Sequence, residues 1–265
     1  MRMIDLTAKM LPEYRDMVPA HLPRFDRIVA PRMDEVVRPE VEGREIAMRL
    51  YGAPLDHLPD GDGFASEMMT LSTHCGTHVD APLHSGSIVE GKPARTMSDI
   101  DINELLAPGI VLDLRPWAEP NRGFEVSEIE QAIEATGAQV NPGDAVLIRT
   151  GQERYSNDQP EFYEYPGMTG EGTRYLTSLG AKILSSDSLA WDRPTSAMVR
   201  AYQETGDPKH IWDGHYAVKE REAFIVQKVA NLAALPVSGF TVGFFPMNLH
   251  ATSAAPCRAV AFVED

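Results

Sequence analysis

Three imidazoles and one carboxylate crowd a short stretch of this chain. Ser72–Gly86 reads S-T-H-C-G-T-H-V-D-A-P-L-H-S-G and places His74, His78, Asp80 and His84 within eleven positions. Histidine nitrogen and carboxylate oxygen together suit Zn²⁺, Mn²⁺ or Fe²⁺ without any thiolate. His74 and His78 are spaced as on one face of a helix, but Gly76, Thr77, Val79 and Pro82 are poor helix residues. A strand running into a turn fits better. His78 and Asp80, two apart, then share one face. Gly76 allows a kink that swings His74 toward them. Pro82 ends the regular structure, and His84 returns on the loop beyond. The competing reading is a set of separate surface or core histidines. The chain holds eight histidines in all, so three in this window is a local excess. Cys75, beside His74, reads as a small buried hydrophobe.

The run H-C-G-T-H-V-D-A-P-L-H resembles the H-x-G-T-H-x-D-x-P-x-H signature of the metal-dependent cyclase family, which includes bacterial kynurenine formamidases and isatin hydrolases. The resemblance extends from Asp5 to Val263, through D-L-T at the start, the strand within Pro142–Gly151 and N-L-A-A-L-P after the last apolar strand. It implies an α/β fold, a swivelling β/β/α single domain over residues 1–265. It implies that His74, His78 and Asp80 are metal ligands and that His84 is a second metal ligand or a catalytic acid/base. The family also carries a histidine and, twelve residues on, a glutamate at the mouth of a late strand. That spacing falls on His215 and Gln227, so the glutamate is a glutamine here.

The substitution matters physically. In two-metal relatives the glutamate, the late histidine and a shared aspartate hold the second ion. An amide carries no charge, and two adjacent dications around one carboxylate are poorly neutralised. One divalent metal per chain is therefore expected, Mn²⁺ with Zn²⁺ as the alternative. Gln227 would give it a carbonyl oxygen or orient its water; a hydrogen-bonded core amide is the plain alternative. His84 and His215 are the candidate catalytic residues, His215 as general base or substrate clamp. The chemistry implied is metal-assisted hydrolysis of a small aromatic amide. The missing glutamate favours ring opening of a cyclic aryl amide of the isatin type. Hydrolysis of N-formylkynurenine is the runner-up, and a metal-binding or small-molecule-binding protein without catalysis is a third reading.

Composition narrows the classes. The chain has 265 residues, a net charge of −15 and two cysteines. No basic tract invites nucleic acid or anionic lipid. Two cysteines make no disulfide framework, and no apolar run is long enough to cross a bilayer. The start lacks a secretory core. A cytoplasmic protein, assembled as a homodimer or higher homo-oligomer, is the expectation.

The elements that must position the site read as alternating strands and helices. Strands are expected over Met3–Thr7, Glu67–His74, Gly109–Arg115, within Pro142–Gly151, over Ala181–Ser185, from Phe224, and in a closing pair over Gly239–Met247 and Cys257–Val263. Helices are expected over Ser127–Thr136, capped by Ser127 with Glu130, and over Thr169–Leu179 and Pro194–Glu204. The Pro- and Asp-rich region from Pro12 to Asp62, helical only around Pro39–Tyr51, is expected to be a long irregular N-terminal arm. It would swap onto a partner subunit or lid the pocket. Asp187, at a strand end, would frame the pocket or cap a helix. His21, His57 and His210 read as surface residues, and the role of His250 is open. Trp191, Trp212 and Phe244 would wall an aromatic pocket or lie in the core.

Overall fold

The computed structural model describes residues 1–18 and 26–264; His21 lies outside the described residues. The chain forms two compact units, Met1–Lys9 with Thr73–Asp265, and Met10–Ser72. The main sheet of the larger unit has eight strands: β1 (Arg2–Asp5), β2 (His78–Asp80), β3 (Leu106–Asp113), β4 (Ala145–Arg149), β5 (Ile183–Ser186), β6 (Phe224–Gln227), β7 (Phe240–Pro246) and β8 (Ala254–Val263). Their order is β1-β8-β7-β3-β4-β5-β6-β2, and β2 pairs back onto β8. Seven strands thus close into a ring. The fold is mixed α/β, as the alternation of elements led us to expect.

Within the ring, β3, β4, β5 and β6 run parallel, and the pairings that involve β2, β7 and β8 are antiparallel. Parallel neighbours require crossovers, which the chain supplies as helices. Those helices include α2 (Val126–Thr136), after α1 (Pro82–Ser85), and then α3 (Gly170–Ser178), α4 (Thr195–Thr205) and α5 (Asp213–Ala217). A strand covered on both faces must be apolar on both. Ala145, Val146, Leu147 and Ile148 of β4 are accordingly all buried.

Alternation along the strands divides the apolar side chains into two cores. Val79, Leu147, Phe224, Val226 and Phe244 fill the barrel interior. Val146, Ile148, Leu184 and Ile225 pack outward with Ile129, Leu176 and Trp191. Because Val79 and Val226 point inward, their neighbours His78, Asp80 and Gln227 point outward. Gln227 is the direct cross-strand partner of His78. The candidate site therefore sits on the outer face of the barrel, at its closing seam.

The seam has an unusual build. β2 pairs with the first half of β8 and β1 with the second half. Thr7, just past β1, bridges to Val229, just past β6. β1 and β2 thus lie end to end in one lane between β6 and β8. Thr77 marks the joint: its hydroxyl accepts from the Ala8 amide at 2.9 Å and donates to the Lys228 carbonyl at 2.6 Å.

Several boundaries differ from expectation. α2 begins at Val126, with Glu125 and Glu128 forming the capping box instead of Ser127 and Glu130. The strand expected over Glu67–His74 ends at Thr70, and His74 lies in a turn. Gly76 there has φ +66°, the left-handed region that glycine enters freely. Pro82 starts a helical turn instead of ending structure, as its fixed φ allows at a first helical position. His84 is carried on that turn. In the smaller unit, Arg32–Val37 and Ser66–Thr70 form an antiparallel pair, and the connection between them contains the helix Arg44–Tyr51. The arm is thus more regular than its proline content suggests. Arg32–Val37 is almost wholly exposed, so it lacks the one-sided apolar alternation that marks a strand in sequence.

Candidate metal site

His78 and Asp80 stand side by side on β2, both buried. The Nδ1 of His78 donates to the Gly76 carbonyl at 2.8 Å. That bond fixes the tautomer and leaves a lone pair on Nε2. Nε2 has no hydrogen-bond partner and faces Asp80 Oδ1 at 3.4 Å. Two acceptors so placed repel unless a cation or proton lies between them. His74 reaches the same carboxylate oxygen, with Nδ1 at 2.9 Å, and its Nε2 lies 3.2 Å from Ser253 Oγ. The ligand atoms of His74, His78 and Asp80 lie within 4.8 Å of one another. These residues fit a divalent cation: a buried lone pair aimed at a carboxylate, in a set of imidazole and carboxylate donors.

A second group shares Asp80 and adds His84 and His215. His215, on α5, is wholly buried and hydrogen-bonds through Nδ1 to Asp192 Oδ2. Asp192 also accepts from the backbone amides of Gly214 at 2.6 Å and His215 at 3.2 Å. Three donors lock this carboxylate in place. Gly214 permits the approach, since a side chain there would press on Asp192. Asp192 was not a candidate from sequence; it lies in W-D-R-P, far from any histidine in the chain, and only the fold brings it to His215.

Gln227 lies between the two halves. Its amide nitrogen donates to Asp80 Oδ2 at 2.6 Å and lies 3.1 Å from His215 Nε2. The nitrogen, not the carbonyl oxygen expected for a ligand, faces the carboxylate. The amide thus cross-links the two residues that a second cation would otherwise bridge.

Burial and charge set the protonation. Burial pulls His84 down to about 3, with His215, His74 and His78 adding to the effect against the pull of Asp80. His84 is an uncharged imidazole. Burial also lowers His215, but the Asp192 carboxylate and Asp80 outweigh it and push it up to about 9. Burial would raise Asp80; the neighbouring His84 and His78 and the hydrogen bonds from His215 and His74 hold it well below the usual carboxylate range.

These opposed shifts predict a pH profile for the metal-free protein. The ordinary histidine value is 6.5. His84 in the fold refuses a proton that the unfolded chain accepts, so its contribution is present above that value and lost as pH falls toward about 3. His215 in the fold keeps a proton that the unfolded chain releases, so its contribution is present below 6.5 and lost as pH rises through about 9. Thermal melts in chelator are expected to peak near neutrality. The acid limb should flatten in His84→Ala and the alkaline limb in His215→Ala.

Trp212 completes the cluster. Its ring stacks on His215 at 4.6 Å and meets His84 edge-on at 4.8 Å. Its backbone sits at φ +47°, a strained position for a large residue and one that recurs at functional sites. Trp191 and Phe244 are core residues instead, Trp191 donating to Thr173 Oγ1 at 2.9 Å. Asp187 neither enters the cluster nor caps a helix. It accepts from the Thr150 hydroxyl and from the amides of Thr150 and Gly151, and so pins the loop after β4. His57 and His250 are exposed, and His210 is half-buried beside Trp212.

Gly167 supports the site from behind. A methyl group added there would overlap the peptide that joins Asp192 to Arg193. Gly167→Ala is expected to lower activity at least tenfold by displacing Asp192, with metal content unchanged. Kinetics with parallel metal analysis would check this.

The ring-shaped mixed sheet carries on its seam an imidazole–carboxylate cluster that could hold a divalent cation. The chain belongs to the Cyclase family, whose model, described as "Putative cyclase", matches residues 4–193. It is 26% identical over 214 residues to the isatin hydrolase of Roseibium aggregatum, covering 77% of each chain. It is 30% identical over 136 residues to the kynurenine formamidase of Geobacillus thermodenitrificans, covering 51% of this chain and 57% of that one. The fold is that of a crystal structure of an isatin hydrolase bound to the product analogue thioisatinate, with a TM-score of 0.72, 22% identity and coverage of 100% of this chain and 93% of the other.

Proposed function

We propose that the protein is a metal-dependent hydrolase that opens a small cyclic aryl amide, of the isatin-to-isatinate type, with one divalent cation per chain, Mn²⁺ or alternatively Zn²⁺. The observation that carries the metal reading is the orphaned Nε2 of His78 facing Asp80. His74, His78 and Asp80 would hold the ion. Gln227, whose amide nitrogen donates to Asp80 Oδ2 and lies 3.1 Å from His215 Nε2, supports a single ion over two. When bound, such an ion would acidify water toward a pKa of about 7 and polarise a substrate carbonyl.

The chain's own residues then handle protons and orientation. His215, held at Nδ1 by Asp192, moves a proton at Nε2 and delivers it to the leaving nitrogen. His84, uncharged, accepts a hydrogen bond from the attacking side. Trp212 covers both imidazoles and restricts water around them. An aniline-type nitrogen leaves more readily than an alkyl amine, which fits a substrate of this class.

Incubation of the metal-loaded protein with isatin and with N-formylkynurenine tests the reading. Isatin should gain the mass of one water. Hydrolysis of the formyl substrate alone would overturn the choice in favour of formamidase chemistry. Loss of turnover in His84→Ala and His215→Ala with metal retained would separate an enzyme from a binding protein.

We place the protein in the cytoplasm as a homo-oligomer of single-domain chains. Cys75 and Cys257 are buried thiols, and among the described residues no helix is long and apolar enough to cross a membrane. Leu50, Tyr51 and Met68, in the smaller unit, are 61–75% exposed, which supports burial against another copy. An unchanged oligomer and activity after deletion of residues 12–60 would remove that role.

A further inference from the structure

We propose that the cavity between α4 and the segment preceding α5 is a binding site for an uncharged apolar molecule, aromatic or aliphatic, and that Trp212 couples its occupancy to the two imidazoles. The cavity measures about 540 Å³, a size that suits a small ligand. Met198, Val199, Tyr202, Ile211 and Trp212 line it. Val199, Tyr202 and Ile211 remain 42–47% exposed, so apolar surface meets water where a ligand could cover it.

Charge selects the class of ligand. No Asp, Glu, Lys or Arg is among its lining residues, and Thr195, Gln203 and a single imidazole, His210, complete the lining, so a cation would lose its hydration without gaining a counter-ion and an anion would find at most one partner. A neighbouring cavity of about 280 Å³ is the opposite case. Arg174, Arg193, Glu171 and Asp213 line it; Arg193 pairs with Asp213 and Arg174 with Glu220, so it offers water and ions a home instead of an apolar group.

Position gives the site its meaning. Trp212 belongs both to the cavity wall and to the candidate metal site, where its ring rests on His215 and His84. A molecule in the cavity therefore lies one side chain away from the imidazoles that move protons. It would fix the ring of Trp212, whose backbone already occupies a strained conformation. The inference concerns binding and does not require the hydrolase reading.

Titration of the metal-loaded protein with 4-tert-butylcyclohexanol, which is neutral and does not absorb with tryptophan, tests it. Saturable binding of one molecule per chain is expected, with a change in tryptophan fluorescence that disappears in Trp212→Phe. Val199→Asp should weaken binding at least tenfold. Ile102→Asp, in a separate cavity of about 370 Å³ lined by Met97, Ile100 and Met247, should leave it within twofold. Circular dichroism would verify that both variants fold, with Tyr202→Asp as the substitute if Val199→Asp does not. Absence of saturable binding, equal weakening in both variants, or a fluorescence change that survives in Trp212→Phe would overturn the proposal. So would a change of subunit number in Val199→Asp, which would assign the face to a second copy of the chain.

Discussion

Asp80→Asn is expected to leave the fold intact and to empty the metal site, with activity falling by about a thousandfold or more. Asp80 is the single carboxylate common to both candidate ligand groups. It faces His74 and His78 through one oxygen and His215 and Gln227 through the other. An asparagine of nearly the same shape can still meet Gln227, so packing changes little. What disappears is the negative charge that His74, His78 and His215 share, and with it the hard anionic donor that a dication prefers over an amide. Without the ion, water at the site returns to its bulk pKa and loses its nucleophilicity near neutral pH. Metal analysis of the purified variant, alongside steady-state kinetics, checks both halves. Retained metal with full turnover would show that the cluster is not the catalytic centre.

Asp192→Asn should be the second large loss, on the order of 10²–10⁴-fold in kcat, the range that general acid–base catalysis supplies. Here the metal content should not move. The asparagine oxygen can still accept from the Gly214 amide, but its NH₂ group must face a nitrogen that carries a proton. The exchange also removes the negative charge that, with Asp80, pushes His215 up to about 9 against burial, so His215 gives up the proton that it would deliver at Nε2. One exchanged atom thus takes the proton from the centre of the cluster. Activity within threefold of the parent would mean that Asp192 only fastens α5 and that another group handles the proton.

Much of this arrangement was legible in the chain. The period of two puts His78 and Asp80 on one face of a strand, and the glycine at position 76 supplies the turn that returns His74. Short apolar runs bounded by glycine and proline marked the parallel strands, because a strand covered on both faces has no polar alternation to blur it. The resemblance to the family, matched through its twelve-residue spacing, is what pointed to His215 and Gln227. Asp192 was invisible for the converse reason: it acts on a residue in a different element, across a loop, and no period links them. His84 was assigned to a loop because a four-residue helical turn is too short to show periodicity. Closure of the ring was equally hidden. It pairs residues 78–80 with residues 254–256, and nothing local in either segment announces the other. The orientation of Gln227 could not be read either, since an amide offers both a donor and an acceptor and only its neighbours decide which end faces Asp80.

The shared lane at the seam bears on how the protein matures. β2 carries two of the three proposed metal-binding residues, yet it is only three residues long and is held on one side by β8. Its other neighbour, β6, lies far along the chain as well. During synthesis His78 and Asp80 therefore leave the ribosome long before the strands that orient them. Contacts so distant in sequence form late and slowly. Capture of the proposed ion would then be among the last events of folding, and the choice of metal would be made by the finished scaffold and not by the nascent peptide.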